Sequence, residues 1–308
     1  MRNSDHMRGL RLELQAATHF VKAGHKVSWP DVETGQGGAD LVLPDFGPLG
    51  LQIECKAISA DKGRKVHRRE ALTFNHLLSV ELNNCLRTLN TGLVAVLTVP
   101  DRLPSAYKDR KELAVRVKQQ ILAGVSRDFP DGAQIRIDDF DIRQLRRDER
   151  DRPAVGRDDV DRLTSTKNRD ALLKGNSVGA VLFVVQSARD DSVVPSIFST
   201  LRQASASQCD PSIPTLFVVG LDGVTSDELN EIAEHDSINA APPTALRRGL
   251  SDFLNSTNRG HVIGVSFLGR SGLVPSEGHV TVGSGRVYHF PKTDSRLWHE
   301  SHAGLFGS

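Results

Sequence analysis

Cysteine is scarce in this 308-residue chain: Cys55, Cys85 and Cys209 are widely spaced and form no C-x-x-C pair. An odd, scattered set argues against a disulfide framework and against a thiolate zinc site. Net charge is almost absent as well, with 39 Lys and Arg against 38 Asp and Glu. That balance argues against a polybasic tail or a coat of positive charge and makes any nucleic-acid site local. The longest uncharged apolar stretch, Val178 to Val185, is far short of the ~20 residues of a membrane helix, so no membrane partner is expected. The first residues carry no apolar h-region, and the cytoplasm is the expected location. The eleven histidines show neither H-E-x-x-H nor H-x-x-x-H spacing, and His299 and His302 read as part of a tail. Without a Walker A motif the chain is not expected to hydrolyse ATP, so any energy-dependent step would need a separate ATPase subunit. The glycine clusters at 269–272 and 283–286 read as turns.

What is present is alternation. Leu10, Leu14, Ala17, Phe20 and Val21 recur at steps of three and four and predict a helix over 8–23 with these residues buried, stopped by Gly24. Strands are expected at 25–29, 39–43 and 51–57, two of them forming a hairpin across P-D-F-G-P-L-G. A helix over 70–88 and a buried strand at 92–99 complete the order helix, three strands, helix, strand. Further on come a helix at 106–124, a strand at 134–137, and a mixed-charge stretch read as a linker or solvated helix face. The last third alternates strand 180–185, helix 195–207, strand 215–219 and helix 225–234, then strand-like segments at 262–267 and 280–290. The pattern predicts an α/β layer structure with parallel strands. Residues 180–220 read as one β-α-β crossover that either extends the first sheet or forms a separate lobe. Ser187 to Asp191 would end its first strand, a position that serves either as scaffold or as a ligand site.

The chemistry concentrates in A-D-L-V-L-P-D-F-G-P-L-G-L-Q-I-E-C-K-A. A hairpin centred on Gly47 keeps a constant index sum of 94, setting Leu43 opposite Leu51 and Asp40 opposite Glu54. Opposed β-carbons lie about 4.5–5.5 Å apart, so the two carboxylates could grip one divalent cation. Period-two alternation puts Lys56 on the face of Glu54 and turns Cys55 away. Two acids and an amine suit phosphodiester hydrolysis: the cation polarises the phosphate and acidifies a bound water, while Lys56 positions that water or neutralises developing charge. The plainer alternative is a strand cap at Asp40 and an ion pair of Glu54 with Lys56 on a solvated face.

G-A-D-L-V-L and I-E-C-K-A on successive strands, preceded by L-E-L-Q-A-A-T-H-F-V-K-A-G-H-K-V, resemble the PD-(D/E)XK, or restriction-endonuclease-like, nuclease superfamily over about residues 8–100. The resemblance implies a restriction-endonuclease-like core, a mixed sheet flanked by helices, at 1–145. A charged segment at 146–176 and an additional C-terminal α/β region at 177–308 would follow. It implies Mg²⁺, with Mn²⁺ as a substitute, bound by Asp40, Glu54 and the main-chain carbonyl of Cys55, with Glu13 as an outer or direct ligand and Lys56 as the catalytic lysine. Ala39 stands where the named motif has proline. The glutamine and tyrosine pair of the exonuclease branch is not evident after Lys56, so an endonuclease acting on DNA is expected, in restriction, phage defence or repair.

Directly after the motif, Lys62, Arg64, Lys65, Arg68 and Arg69 face only Asp61 and Glu70, a loop suited to the phosphates flanking a scissile bond. No aromatic residues are interleaved for base stacking. A homodimer would explain double-strand cutting, and a separate specificity subunit would supply base readout. The competing readings are an RNA substrate or a non-cleaving binding or scaffolding subunit.

Overall fold

The computed structural model describes residues 4–30, 38–83, 89–144, 146–147, 153–154, 157–164, 169–176, 179–238, 240–270, 273–276, 279–282 and 287–306. In chain order the first elements are α1 (Ser4–Lys22), β1 (Leu41–Leu43), β2 (Leu51–Ile58), α2 (Arg68–Leu82), β3 (Gly92–Val99) and α3 (Tyr107–Ala123). There follow β4 (Arg127–Asp128), β5 (Gln134–Phe140), β6 (Arg146–Arg147), β7 (Pro153–Ala154), α4 (Arg157–Thr164), β8 (Arg169–Gly175) and β9 (Ala180–Ser187). The chain continues through α5 (Val193–Ser207), β10 (Thr215–Thr225), α6 (Ser226–Ser237), α7 (Ala245–Leu254) and β11 (Val262–Arg270). Last come β12 (Leu273–Ser276), β13 (His279–Val282) and β14 (Val287–Pro291).

The architecture is α/β, with two mixed sheets flanked by helices, and it divides the chain differently from the expected 1–145, 146–176 and 177–308. One compact unit combines Met1–Gly63 with Ser192–Ser308, and the other is Arg64–Asp191. The second unit is thus an insertion, beginning eight residues after Lys56. Within the first unit, Ser192 N donates to Gly63 O at 2.8 Å and closes the chain where it is interrupted. Within the second, Lys65 N donates to Asp191 Oδ1 at 2.8 Å and ties the ends of the insertion together.

The first unit's sheet runs β1-β2-β10-β11-β14, with β2, β10 and β11 parallel to one another and β1 and β14 antiparallel at the edges. The helix, strands, helix, strand order is therefore completed by α5 and β10, not by α2 and β3 as the sequence pattern suggests. Strands β9 and β10 belong to different sheets, so residues 180–220 are not one crossover unit. Of the strand expected at 25–29, a single bridge from Ser28 to Val42 forms. Alternation along β10 sorts two cores: Leu216 and Val218 pack with α1, while Phe217 and Val219 pack with α5 and α7.

Helix α1 buries only part of the expected stripe, its Ala17 and Phe20. Leu12, Ala16, Ala17 and Phe20 face the sheet, while Leu10, Leu14 and Val21 are 40–56% exposed. The small Ala16 and Ala17 permit close approach, and Leu12 reaches the β10 backbone at Gly220, where a β-carbon would lie 3.3 Å from its Cδ2. His302 is likewise no tail residue. It is 1% exposed, its ring stacks on Phe46 at 5.9 Å, and its Nδ1 accepts the His299 N–H at 2.9 Å.

The inserted unit has its own sheet, β4-β5-β3-β9-β8, in which β3 and β9 are parallel. Helices α2 and α3 cover one face through Phe74, Leu78, Leu113 and Val117, and Val160 of α4 packs on the other. The mixed-charge stretch read as a linker or solvated helix face contributes β6, β7 and α4 to this unit. Residues 148–152, 155–156 and 165–168 of the 146–176 segment lie outside the described residues, as do Cys85, 271–272 and 283–286, where a turn is expected.

Candidate active site

The hairpin forms in the expected register. Leu43 pairs with Leu51 and Leu41 with Ile53, and continuing that register brings Asp40 level with Glu54. Gly50, with φ of +71°, makes the return, since a β-carbon there would press on Leu43 O at 3.2 Å. Asp40 Oδ2 accepts the Cys55 N–H at 2.7 Å and lies 4.0 Å from Lys56 Nζ. Lys56 Nζ forms an ion pair with Glu54 Oε1.

On β2, Leu51, Ile53 and Cys55 pack with α1, so Gln52, Glu54 and Lys56 share the other face. That face is not solvated: Glu54 is 0% exposed and Gln52 6%. Gln52, unremarked in the sequence, accepts the Asp210 N–H at 3.0 Å and the Thr215 hydroxyl at 3.3 Å through Oε1, fastening the start of β10 beside the site. A polar residue two places before Glu54 in an otherwise apolar strand is the available signal.

Burial, followed by the charge of Asp40, pushes the Glu54 carboxyl up to about 7 against the pull of Lys56. Burial draws the Lys56 ammonium down, but the charge and hydrogen bond of Glu54, with Asp40 behind them, outweigh it and leave the amine above its ordinary value. The pair is therefore a firmly protonated lysine beside a carboxylate that is costly to keep ionised. Cys55 and Cys209 are held as neutral thiols, Cys209 pushed up to about 12, in both cases by burial first. Neither suits nucleophilic work.

The donor chemistry fits a hard cation at Asp40 and Glu54. Glu54 Oε2 is buried with no geometric hydrogen bond among the described residues, and beside Lys56 only the Asp40 main-chain N–H acts on the carboxylate as a donor, leaving an under-satisfied acceptor that a cation would complete. Mg²⁺ is commonly held by one or two carboxylates with water and substrate phosphate completing its shell. Glu13 lies on α1, where its charge, like those of Asp40 and Glu54, acts on the Cys55 thiol. Among the described residues no set of three or more His, Cys, Asp or Glu converges to hold a metal.

The basic run expected as one loop is divided. Lys62, whose N–H closes a turn onto Ser59 O at 2.9 Å, belongs to the first unit, and Arg64, Lys65, Arg68 and Arg69 to the insertion. Lys65 Nζ lies 3.2 Å from Asp101 Oδ1, and Arg68 and Arg69 are exposed at the start of α2. None of the described helices is long and apolar enough to cross a membrane. No protein-family model, curated protein or solved structure matches the chain.

Proposed function

We propose that the protein is a metal-dependent endonuclease hydrolysing phosphodiester bonds in DNA. The observation that carries this reading is the fully buried Glu54 carboxylate, with one oxygen under-satisfied, gathered with Asp40 and Lys56 at one hairpin. A carboxylate buried at such expense is a functional signal when a specific charge partner accompanies it.

Asp40 and Glu54 would hold Mg²⁺ or Mn²⁺ with the Cys55 carbonyl, and the ion when bound would polarise the phosphate and acidify a water. The chain's own contribution is positional and electrostatic. Asp40 fixes the level of β2 through the Cys55 N–H, so both carboxylates are set by one backbone register. Lys56 is held protonated, which suits it to donate to a phosphate oxygen and stabilise developing negative charge, and unsuits it as a general base.

A second reading, a non-cleaving nucleic-acid-binding or scaffolding subunit, draws on the ion pair that Lys56 already makes with Glu54 and on the absence of a third acid among the described residues. Incubation of supercoiled plasmid, linear duplex, single-stranded DNA and RNA with Mg²⁺ or Mn²⁺ decides between them. Metal-dependent cutting by the wild type, abolished in Lys56→Ala and Glu54→Gln variants that keep native circular dichroism, supports the nuclease and names its substrate. Unchanged cutting in both variants, or none by the wild type on any substrate, refutes it.

A further inference from the structure

The charge balance of the whole chain hides a division. The insertion, Arg64–Asp191, carries 24 Lys and Arg against 19 Asp and Glu, a net +5, while the remainder carries 15 against 19, a net −4. The unit bearing the candidate catalytic residues is thus the acidic one, and a polyanionic substrate is drawn to the insertion.

Within the insertion, three segments distant in sequence meet where the parallel strands β3 and β9 end. Val99 pairs with Ser187 in the register of the two strands, and Ala188 N donates to Val99 O at 2.8 Å. Ser187 Oγ donates to Asp101 O at 2.8 Å and accepts the Arg189 N–H at 3.0 Å, so one hydroxyl joins the two strand exits. The third segment arrives through Lys65, whose Nζ pairs with Asp101 at 3.2 Å and whose N–H binds Asp191. Arg102 and Arg189 are both exposed. Together with Lys65, their charges hold the Asp101 carboxyl below its ordinary range, the Lys65 hydrogen bond contributing most.

The patch keeps a small positive excess, Arg64, Lys65, Arg102 and Arg189 against Asp101, Asp190 and Asp191. Asp101 is engaged by Lys65, and Asp191 accepts a main-chain N–H. Asp190 is the one further carboxylate in the run. The guanidiniums of Arg64, Arg102 and Arg189 make no ion pair within 4.0 Å among the described residues. Strand C-terminal ends are also where open α/β sheets habitually bind ligands. The connection leading into the patch begins at the end of β2, the strand that carries Glu54 and Lys56.

We propose that Arg64, Lys65, Arg102 and Arg189 form a site for the phosphodiester backbone of nucleic acid, so that the insertion supplies affinity and the first unit the chemistry. This inference rests on the nuclease reading for its substrate, but binding can be measured without cleavage. The full-length protein, in EDTA, is titrated with a short fluorescent DNA duplex at several salt concentrations, alongside Arg102→Gln, Arg189→Gln and Arg143→Gln. Arg143 follows β5 at the opposite end of the same sheet, where Phe140 pairs with Gly92, and its exposed guanidinium pairs with Asp141 at 2.9 Å. It therefore controls for loss of one positive charge.

Each patch variant is expected to weaken binding several-fold and to flatten the slope of log K against log salt by about 0.9, the value for one lost phosphate contact, with Arg143→Gln close to wild type. Equal losses in all three variants, unchanged slopes in the patch variants, or no duplex binding by the wild type would overturn the proposal. So would a patch that discriminates for inorganic phosphate but not for duplex, the mark of a small-anion site. Cleavage in Mg²⁺ is scored separately. A binding result as expected without cleavage removes the nuclease reading alone, and cleavage with unaltered binding in the patch variants removes the patch alone.

Discussion

Asp40 Oδ2 accepts the main-chain N–H of Cys55 at 2.7 Å, so the first acid of the candidate site also pins the strand that presents the second. One side chain thereby sets both the charge of the site and its register. A hydrogen bond to an ionised acceptor contributes roughly 1.5–3 kcal/mol, and its loss exposes a buried donor as well. Asp40→Ala is expected to lower unfolding stability by about that amount and to abolish cleavage. Asp40→Asn keeps an acceptor oxygen and should recover most of the stability but not the activity. Urea denaturation beside a plasmid assay separates the two roles; matching stabilities for Ala and Asn would mean the bond to Cys55 contributes little.

The Glu54 carboxyl, pushed up to about 7 from an ordinary 4.5, makes stability depend on pH in a definite sense. The native state binds this proton more tightly than the unfolded chain does. The contribution is therefore complete below about pH 4.5 and lost as pH rises through about 7, amounting to at most about 3 kcal/mol. His261, His289 and His302 act in the opposite sense, because burial holds each below its ordinary value, and what they contribute is lost as pH falls. The wild type must therefore be compared with Glu54→Gln, which retains all three histidines. In EDTA, wild type should gain on the variant between pH 8 and pH 5, and at pH 8 Mg²⁺ should raise the wild-type midpoint alone. Parallel pH curves for the two proteins would show that Glu54 does not titrate in this range.

Gly63 marks the point where the first unit's chain is interrupted. Its φ is +75°, and a β-carbon there would lie 2.5 Å from Ser192 O and 2.7 Å from Ser196 Oγ. Neither the backbone conformation nor the space admits a side chain. Gly63→Ala should therefore cost about 1–3 kcal/mol, as overpacking does, and should open the closure between Gly63 and Ser192 to limited proteolysis. Wild-type resistance in the variant would show that the closure tolerates displacement.

The hairpin is legible in the sequence because its loop chemistry and index sum leave one register that buries Leu41, Leu43, Leu51 and Ile53 together. The same register, by its spacing alone, brings Asp40 level with Glu54. The partner of β2 is not legible in the same way. G-L-V-A-V-L-T-V and T-L-F-V-V-G-L are both strands buried on two faces, and a continuous apolar run carries no mark of which neighbour it pairs with. The nearer strand in sequence is the natural assignment, and a 128-residue insertion defeats that rule. Arg102 and Arg189 are likewise invisible as a pair in the sequence, since only the parallel pairing of β3 with β9 brings their segments together.

Helix α1 shows why periodicity can misplace the buried face. Of the stripe that spacing selects, Ala17 and Phe20 are buried but Leu10, Leu14 and Val21 are not, and Leu12 and Ala16 complete the buried face, rotated from the one the exposed leucines favour. The alanines of that face let the helix approach the sheet. Leu12→Ala should cost about 2–5 kcal/mol as a cavity beside Gly220, whereas Leu14→Ala, at a half-exposed position, should stay within about 0.5 kcal/mol of wild type. Chemical denaturation of the two variants tests the orientation directly. Because Glu13 lies between these leucines, the comparison also bears on its place at the site: the expected ranking keeps α1 in the orientation in which the Glu13 charge acts on Cys55, and the reverse ranking would turn it away.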